Sequence, residues 1–325
     1  MSIPKCLIAI LACCPSIFIH GQQNQVSSPV AGYVFDGVAL RPIAGVPGGA
    51  TLGGALDLAL APNDAAISPS LDSVIVTAAD GSLHLFRLNG NRAAEVSWNG
   101  VSRGPAQIVY SPSGTAAAIY ASRRIQVVKG LPDSPVLAFA AEPGPSPKSL
   151  TRLAGSPAPQ AVAVSDDAGW LLLATEGRVR AVSSSGASSV LLEGTRGVSV
   201  AFAPGSHTAA VLNAVSASRL LFDDVSQAPN QARHLPTPGF TEPAGLAFAA
   251  DGKAVVAADR TARSVRMINF GAGAATMLEC ACAPTAVARM GNLFRLTDAG
   301  SGPVWLVDAG VTPPRIAFVP ALAMP

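Results

Sequence analysis

The stretch EPAGLAFAADGKAVVAAD, residues 242–259, contains two short apolar runs separated by a small polar turn. The first run ends at Phe248, the second begins at Ala254, and Gly252 lies between them. Glycine tolerates the positive φ angle that many tight turns require, and runs this short suit strands better than helices. The stretch therefore predicts two antiparallel strands joined by a tight turn.

The same pattern opens six units along the chain, and further short apolar runs follow in each. First strands are predicted at 56–60, 106–110, 160–164, 198–202, 245–248 and 285–288. Second strands are predicted at 73–78, 116–120, 170–174, 209–212, 254–258 and 293–297, and third strands at 82–88, 125–128, 179–182, 219–222, 265–268 and 304–307. Fourth strands are predicted at 94–98, 136–140, 189–192, 275–278 and 315–319. A period of roughly 38 to 54 residues with four strands predicts an all-β fold, a β-propeller of four-stranded blades. A β-sandwich, the alternative, has no reason to repeat one pattern six times.

The blade number is six or seven, and seven is favoured. Residues 33–36 resemble a third strand and residues 39–45 a fourth. In a six-bladed ring this N-terminal hairpin would cover an exposed sheet edge, which otherwise invites aggregation. In a seven-bladed ring one blade is poorly marked, and residues 149–153 are a candidate for its missing strand material.

Composition limits the classes of function. Charged residues make up 13% of the chain, net charge is +2, and aromatic residues make up 5%. A nucleic-acid-binding domain usually has a basic surface and base-stacking aromatic residues, so nucleic acid is not an expected partner. No composition break suggests a linker, and residues 31–325 are predicted to form a single propeller domain.

The N-terminus has the pattern of an export signal. Lys5 precedes an apolar stretch at 6–19 that is short for a membrane span, so residues 1–21 are predicted to be a signal peptide and 22–30 a disordered tail. Residues 10–13, ILAC, loosely resemble a lipoprotein cleavage box, which would make Cys13 a lipid anchor. No other transmembrane helix is predicted, and the mature protein is expected to be periplasmic, secreted or associated with the cell envelope.

Oxygen-bearing side chains occur at the predicted turn between the second and third strands in five of six units. They are Asp80, Glu176, Asn213, Asp259 and Asp298. Equivalent turns of a propeller lie on one face, so these side chains are candidates for a ring at the channel mouth. Such a ring could bind a hard cation such as Ca²⁺ or carry out acid–base chemistry. The alternative is that Asp and Asn are frequent in turns because they bond to their own backbone.

The histidine and cysteine residues of the mature chain give no clear catalytic set. His84, His207 and His234 fall in different layers of different units and are not expected to meet, so no catalytic residue is assigned. Cys280 and Cys282 are candidates for a disulfide or for two free thiols, and a disulfide at this spacing would require a turn or kink. No further Cys or His lies near them in sequence to complete a metal site.

Residues 242–259, continuing through 264–268, resemble one repeat of the YVTN/NHL-type, WD40-like β-propeller superfamily. The openings at 104–114 and 197–205 resemble its first half, and the likeness extends over most of 56–319 at the level of the fold. This resemblance implies a binding platform or, in one branch, a lactonase that uses a divalent metal held by Glu, Asn and Asp. The second role would recruit Glu176, Asn213, Asp259 and Asp298.

The combined expectation is an exported, non-enzymatic propeller without a cofactor, which binds a protein or polymer partner. The alternative is a metal-assisted lactonase or related hydrolase with Ca²⁺ or Zn²⁺ at the channel mouth.

Overall fold

The computed structural model describes residues 29–101, 104, 107–143, 159–214, 218–227, 231–235, 239–271, 273–300 and 302–322. These residues form 27 strands and no helix, arranged as seven antiparallel sheets in a ring. Six sheets have four strands, and the first has three. The predicted fold class and the favoured blade number are both confirmed: the protein is an all-β, seven-bladed propeller. Within the described ranges no helix could cross a membrane.

The strands follow one another outwards in each blade. Blade 1 contains β1 (Val30–Phe35), β2 (Leu40–Ala44) and β3 (Thr51–Leu52). Blade 2 contains β4 (Pro62–Ile67), β5 (Ser73–Ala78), β6 (Leu83–Asn89) and β7 (Arg92–Val96). Blade 3 contains β8 (Gln107–Tyr110), β9 (Ala116–Ala121), β10 (Arg124–Lys129) and β11 (Val136–Ala141). Blade 4 contains β12 (Ala161–Val164), β13 (Trp170–Thr175), β14 (Arg178–Ser183) and β15 (Ser188–Glu193).

The remaining three blades have the same order. Blade 5 contains β16 (Val198–Phe202), β17 (Ala209–Asn213), β18 (Ser218–Phe222) and β19 (Ala232–His234). Blade 6 contains β20 (Pro243–Phe248), β21 (Ala254–Asp259), β22 (Ser264–Asn269) and β23 (Ala274–Glu279). Blade 7 contains β24 (Ala288–Met290), β25 (Leu293–Arg295), β26 (Val304–Asp308) and β27 (Arg315–Val319).

The hydrophobic core is divided among the junctions between blades. Among the described residues there are seven apolar clusters, and each joins two successive blades. Strands β5, β17 and β21 are buried along their whole length because blades cover both of their faces. This two-sided burial explains why they read as continuous apolar runs rather than alternating ones. Each fully buried Val or Leu contributes roughly 1.5–3 kcal/mol to folding.

Two of the predicted first strands are wrong. Residues 56–60 are not a strand; Leu56 and Leu58 are buried between blades 1 and 2, and the Leu56 N–H donates to Leu40 O at 2.8 Å. The first strand of this unit is β4, whose sequence PNDAAI is polar at its start. The predicted strand at 285–288 is also displaced, since β24 begins at Ala288. In the first case, buried side chains in a connection were read as a strand.

The additional blade of the seven-bladed ring is blade 1, which lies at the N-terminus in the segment interpreted as a hairpin. The segments predicted as third and fourth strands are β1 and β2, the first two strands of blade 1, and β3 pairs with β2. The six-bladed alternative is therefore wrong. The candidate strand at 149–153 lies outside the described residues, as do residues 1–28 with the predicted signal peptide and Cys13.

The ring closes between blades 7 and 1 by side-chain packing. Val34 and Ile43 of blade 1 share a buried cluster with Met290 and Leu306 of blade 7. A backbone hydrogen bond also passes the three-stranded blade 1 and joins the blades on either side of it. The Gly291 N–H of blade 7 donates to Pro69 O of blade 2 at 2.8 Å. The described residues of the first and last blades share no sheet.

Candidate functional site

One face of the ring is built from a repeated turn, which connects the first and second strands of a blade. In the turns at 68–73, 111–116, 165–170, 203–208 and 249–254, the first residue's N–H donates to the last residue's carbonyl at 2.8–2.9 Å. We call these five turns, with residues 290–293 of blade 7, the turn face. Residues Leu71, Gly114, Ala168 and Gly252 hold the same position with positive φ. The turn chemistry seen in the sequence therefore builds one surface.

Asp166 fixes three turns of this face to one another. Its Oδ1 accepts a hydrogen bond from the Ser113 N–H of blade 3 at 2.7 Å, and its Oδ2 accepts one from the Gly205 N–H of blade 5 at 2.7 Å. The Thr115 hydroxyl donates to the Asp166 carbonyl at 2.9 Å. A carboxylate bonded on both sides to backbone N–H groups holds three blades in one arrangement.

His207 extends this network towards the edge of blade 5. Its Nε2 lies 3.0 Å from Asp167 Oδ2, and its Nδ1 lies 3.9 Å from Asp224 Oδ1. Burial raises the pKa of Asp167, but hydrogen bonds from Ser165, Gly169 and His207 outweigh it, and the pKa lies below the usual value. The Ser226 hydroxyl is the main cause of the lowered pKa of Asp224.

Acid is expected to weaken this part of the turn face. A lowered folded-state pKa gives stability that is present above the unfolded-state pKa, near 4, and is lost as pH falls through the folded value. Replacing Asp167 by Asn removes one such group, so the variant should lose less stability than the wild type below about pH 4. Urea unfolding from pH 7 down to about pH 2 measures this. Parallel curves for the two proteins would contradict it.

The five predicted channel-mouth residues do not all occupy the same position in their blades. Asp259 pairs with Pro243 and Asn213 with Val198, so both end the second strand of their blade. In blade 2 the corresponding residue is Ala78, so Asp80 lies further into its turn. Turns of different length therefore place the five side chains at different positions.

The two buried members of the set bind backbone. Asp259 is fully buried and accepts hydrogen bonds from the N–H groups of Thr241 at 2.7 Å and Ala262 at 3.0 Å. Asn213 Oδ1 accepts one from the Arg196 N–H at 3.2 Å. Both side chains thus fix the connection that enters the first strand of their own blade.

The other three members of the set are exposed. Asp80 Oδ1 accepts from the Ser82 N–H at 2.9 Å, and Asp298 pairs with Arg295 at 3.4 Å. Glu176 lies exposed after β13. Within the described parts of the chain, no three His, Cys, Asp or Glu side chains come together in a group that could hold a metal ion.

His84 belongs to a hydroxyl–imidazole–carboxylate chain that sequence reasoning missed. Its Nε2 lies 2.8 Å from Ser82 Oγ, and its Nδ1 lies 2.7 Å from Glu95 Oε1. The Ser82 hydroxyl donates to Asp80 Oδ1 at 2.5 Å, so its proton points to a carboxylate rather than to the imidazole. A serine nucleophile needs the opposite arrangement, with its proton directed to the base. The chain therefore acts as a polar cluster on blade 2.

Cys280 and Cys282 are joined by a disulfide, with a Cα–Cα distance of 5.0 Å. Both lie beyond the end of β23, where the chain bends, and both are buried between blades 6 and 7. The Arg263 side chain donates from Nε to Cys282 O at 3.2 Å. The disulfide therefore lies at a blade junction, where it packs as part of the core.

A cavity of about 390 Å³ lies on the axis of the ring, and it is lined by β1, β4, β8, β12, β16, β20 and β24 with adjoining residues. Its wall is mostly aliphatic, with two arginines from blade 7, Arg289 and Arg295. Burial lowers the pKa of both; Asp166 partly offsets this for Arg289, as Asp298 and Asp64 do for Arg295. Sequence reasoning did not find this site, because its residues come from seven separated segments.

No protein-family model and no curated protein matches the chain. Solved structures do resemble it in fold. Apo AztD from Citrobacter koseri is 12% identical, with 90% of this chain and 95% of that one covered and a TM-score of 0.57. A functionally unknown protein from Desulfotomaculum acetoxidans is 14% identical, with 90% and 100% covered and a TM-score of 0.55. Virginiamycin B lyase from Staphylococcus aureus is 14% identical, with 80% and 84% covered and a TM-score of 0.53. At these identities the likeness shows the fold: the chain is a seven-bladed β-propeller, and no family within that fold is assigned.

Proposed function

We propose that the protein is an exported, non-enzymatic binding module that presents its turn face to a protein or polymer partner. The observation that carries this proposal is the bonding of Asp166 to the turns of blades 3 and 5. Loops held in one arrangement before binding lose less conformational entropy when a partner docks. Three turns of the face are therefore held in place before binding, which lowers the cost of docking a partner.

The chemistry of the turn face suits a hydrogen-bonding partner. Hydroxyl groups are frequent in its turns, as at Ser70, Ser113, Thr115, Ser206 and Thr208. Hydroxyls both donate and accept, so they can pair with peptide groups or with the hydroxyls of a polymer. The proposal requires no metal and no cofactor.

The alternative function, a metal-assisted hydrolase, would require Asp259 to bind a metal ion. A metal at the channel mouth would need the carboxylate of Asp259, whose two oxygens accept hydrogen bonds from Thr241, Glu242 and Ala262. Binding a cation there would break contacts that fix the entry to β20. The geometry for this reason favours the binding module over the hydrolase.

A pair of matched variants tests the turn face. Ser206→Arg places a large charged side chain on an exposed turn of this face in blade 5. Ala262→Arg places the same side chain on the exposed turn after β21 in blade 6, at the strand ends opposite the turn face. In a pull-down from cell-envelope extract, we expect the wild type and Ala262→Arg to retain the same partner and Ser206→Arg to lose it. Retention of that partner by Ser206→Arg, or its equal loss from both variants, would reject the proposal.

Export is tested separately on the full chain. We expect a tagged protein expressed in a bacterium to be recovered from the periplasm, envelope or medium, with a mature N-terminus near Gln22 by mass spectrometry. Modification at Cys13 would instead indicate the lipid anchor. Recovery of an intact N-terminus from the cytoplasm alone would reject export.

A further inference from the structure

The axial cavity has two distinct chemical parts. Most of its wall consists of aliphatic and aromatic side chains from the first strands, such as Val162, Val200 and Phe248. Guanidinium groups from a single blade supply its positive charge. A volume of about 390 Å³ lies in the range of small-molecule sites, which are typically mostly apolar with a few well-placed polar groups.

Arg289 crosses the cavity at the turn-face end. Its Nη1 donates to Gly291 O at 3.2 Å, and its Nη2 donates to Pro112 O of blade 3. These acceptors are neutral carbonyls, and among the described residues no carboxylate lies within ion-pair distance of Arg289. Asp166, whose charge acts on Arg289, accepts hydrogen bonds with its own side-chain oxygens from the backbone of Ser113 and Gly205. Arg289 stays protonated, since burial does not bring a guanidinium into the neutral range.

Arg295 differs from Arg289 although both line the same cavity. Its Nη2 lies 3.4 Å from Asp298 Oδ1, and the charge of Asp64, another residue of the wall, acts on it as well. Arg295 therefore has a carboxylate within ion-pair distance, whereas Asp166 acts on Arg289 from beyond that distance. Of the two guanidinium groups in the cavity, the one at the turn-face end, Arg289, is therefore the one that a bound carboxylate could pair with directly.

We propose that the axial cavity binds a small organic carboxylate, whose carboxylate group pairs with Arg289 and whose apolar body contacts the strands of the wall. A planar guanidinium matches a carboxylate in geometry, and the bond is strengthened when both groups leave water. The apolar wall favours an acid with a hydrocarbon body over inorganic phosphate or acetate. The inference does not depend on the partner of the turn face, so either can fail without the other.

Calorimetric titration of the purified full chain tests this site with a charged probe and its neutral counterpart. We expect 1-naphthoate to bind saturably with a Kd below about 1 mM, and 1-naphthamide to bind at least about tenfold more weakly. Arg289→Gln should weaken 1-naphthoate about tenfold or more and leave the amide unchanged. Acetate and inorganic phosphate should bind more weakly than 1-naphthoate, because they lack the apolar body.

The control is Arg233→Gln, which removes an exposed arginine of blade 5 that pairs with Asp223 at 3.2 Å. It changes the net charge by the same amount without reaching the cavity, and its affinity for 1-naphthoate should equal that of the wild type. If Arg289→Gln does not fold, the comparison of 1-naphthoate with 1-naphthamide on the wild-type protein still tests the proposal. Equal affinity for acid and amide, no saturable binding of 1-naphthoate, phosphate binding as tightly as 1-naphthoate, or unchanged affinity in a folded Arg289→Gln would each overturn the proposal.

Discussion

Replacing Asp259 by Ala is expected to lower the free energy of unfolding by roughly 3 kcal/mol or more, because each buried donor left without an acceptor costs about 1–3 kcal/mol. The side chain is fully buried, and its oxygens accept from the N–H groups of Thr241 at 2.7 Å, Ala262 at 3.0 Å and Glu242 at 3.4 Å. Alanine would leave these groups without that acceptor. Denaturant unfolding at neutral pH measures the change.

Two further variants test whether the loss of stability in Asp259→Ala arises because the Asp259 side chain is buried. Asp298→Ala removes an exposed carboxylate that pairs with Arg295 at 3.4 Å, and should change stability by no more than about 1 kcal/mol. Asp259→Asn keeps one acceptor oxygen and should fall between the wild type and Asp259→Ala. A folded Asp259→Ala with wild-type stability, but without a Ca²⁺ affinity that the wild type possesses, would contradict this account and support the metal-assisted hydrolase.

Gly245→Ala is the second change with a large expected effect. A Cβ at Gly245 would lie 2.4 Å from the backbone nitrogen of Val287 and 3.0 Å from the carbonyl carbon of Ala286. Backbone atoms of the neighbouring blade cannot rotate away as the end of a side chain can. Overpacking of this kind costs about 1–3 kcal/mol, and we expect a value at the upper end, read from the thermal or denaturant midpoint.

Gly54→Ala is the matched control for Gly245→Ala. A Cβ at Gly54 meets nothing within 4 Å, and its φ lies outside the left-handed region. The substitution should therefore be neutral or slightly stabilising, by up to about 1 kcal/mol, because alanine has less freedom in the unfolded chain. Similar losses in both variants would show that the approach of blades 6 and 7 does not explain the effect.

Local signals predicted the strands well where turn residues mark both ends. The bounds of Ser73–Ala78, Val198–Phe202 and Arg315–Val319 agree with the predicted ones. These signals fail where buried apolar residues lie outside a strand, or where a strand contains polar residues. Leu56 and Leu58 are apolar because they pack between blades, whereas β4 carries polar residues next to the channel. Short-range patterns report burial, and a buried connection has the same pattern as a buried strand.

The candidate sites were less predictable, because their contacts join distant parts of the chain. Asp259 was singled out as a turn residue, but its role depends on the backbone of Thr241, in the connection that enters β20. Arg289 was not singled out, since its partner Pro112 is 177 positions away. Such contacts depend on the number and order of the blades. The strands of the N-terminal blade were themselves assigned to the wrong positions in the blade.

The closure described for the first and last blades gives the molecule one boundary unlike the others. Within the described residues, the chain runs through every other boundary but not through this one, and no ladder of backbone hydrogen bonds crosses any boundary between blades. Separating the two blades there exposes one apolar cluster and breaks the hydrogen bond from Gly291 to Pro69, while each sheet keeps its own hydrogen bonds. Because no chain connection holds this boundary together, we expect local opening to begin there, so that the ring becomes an open arc while the sheets persist.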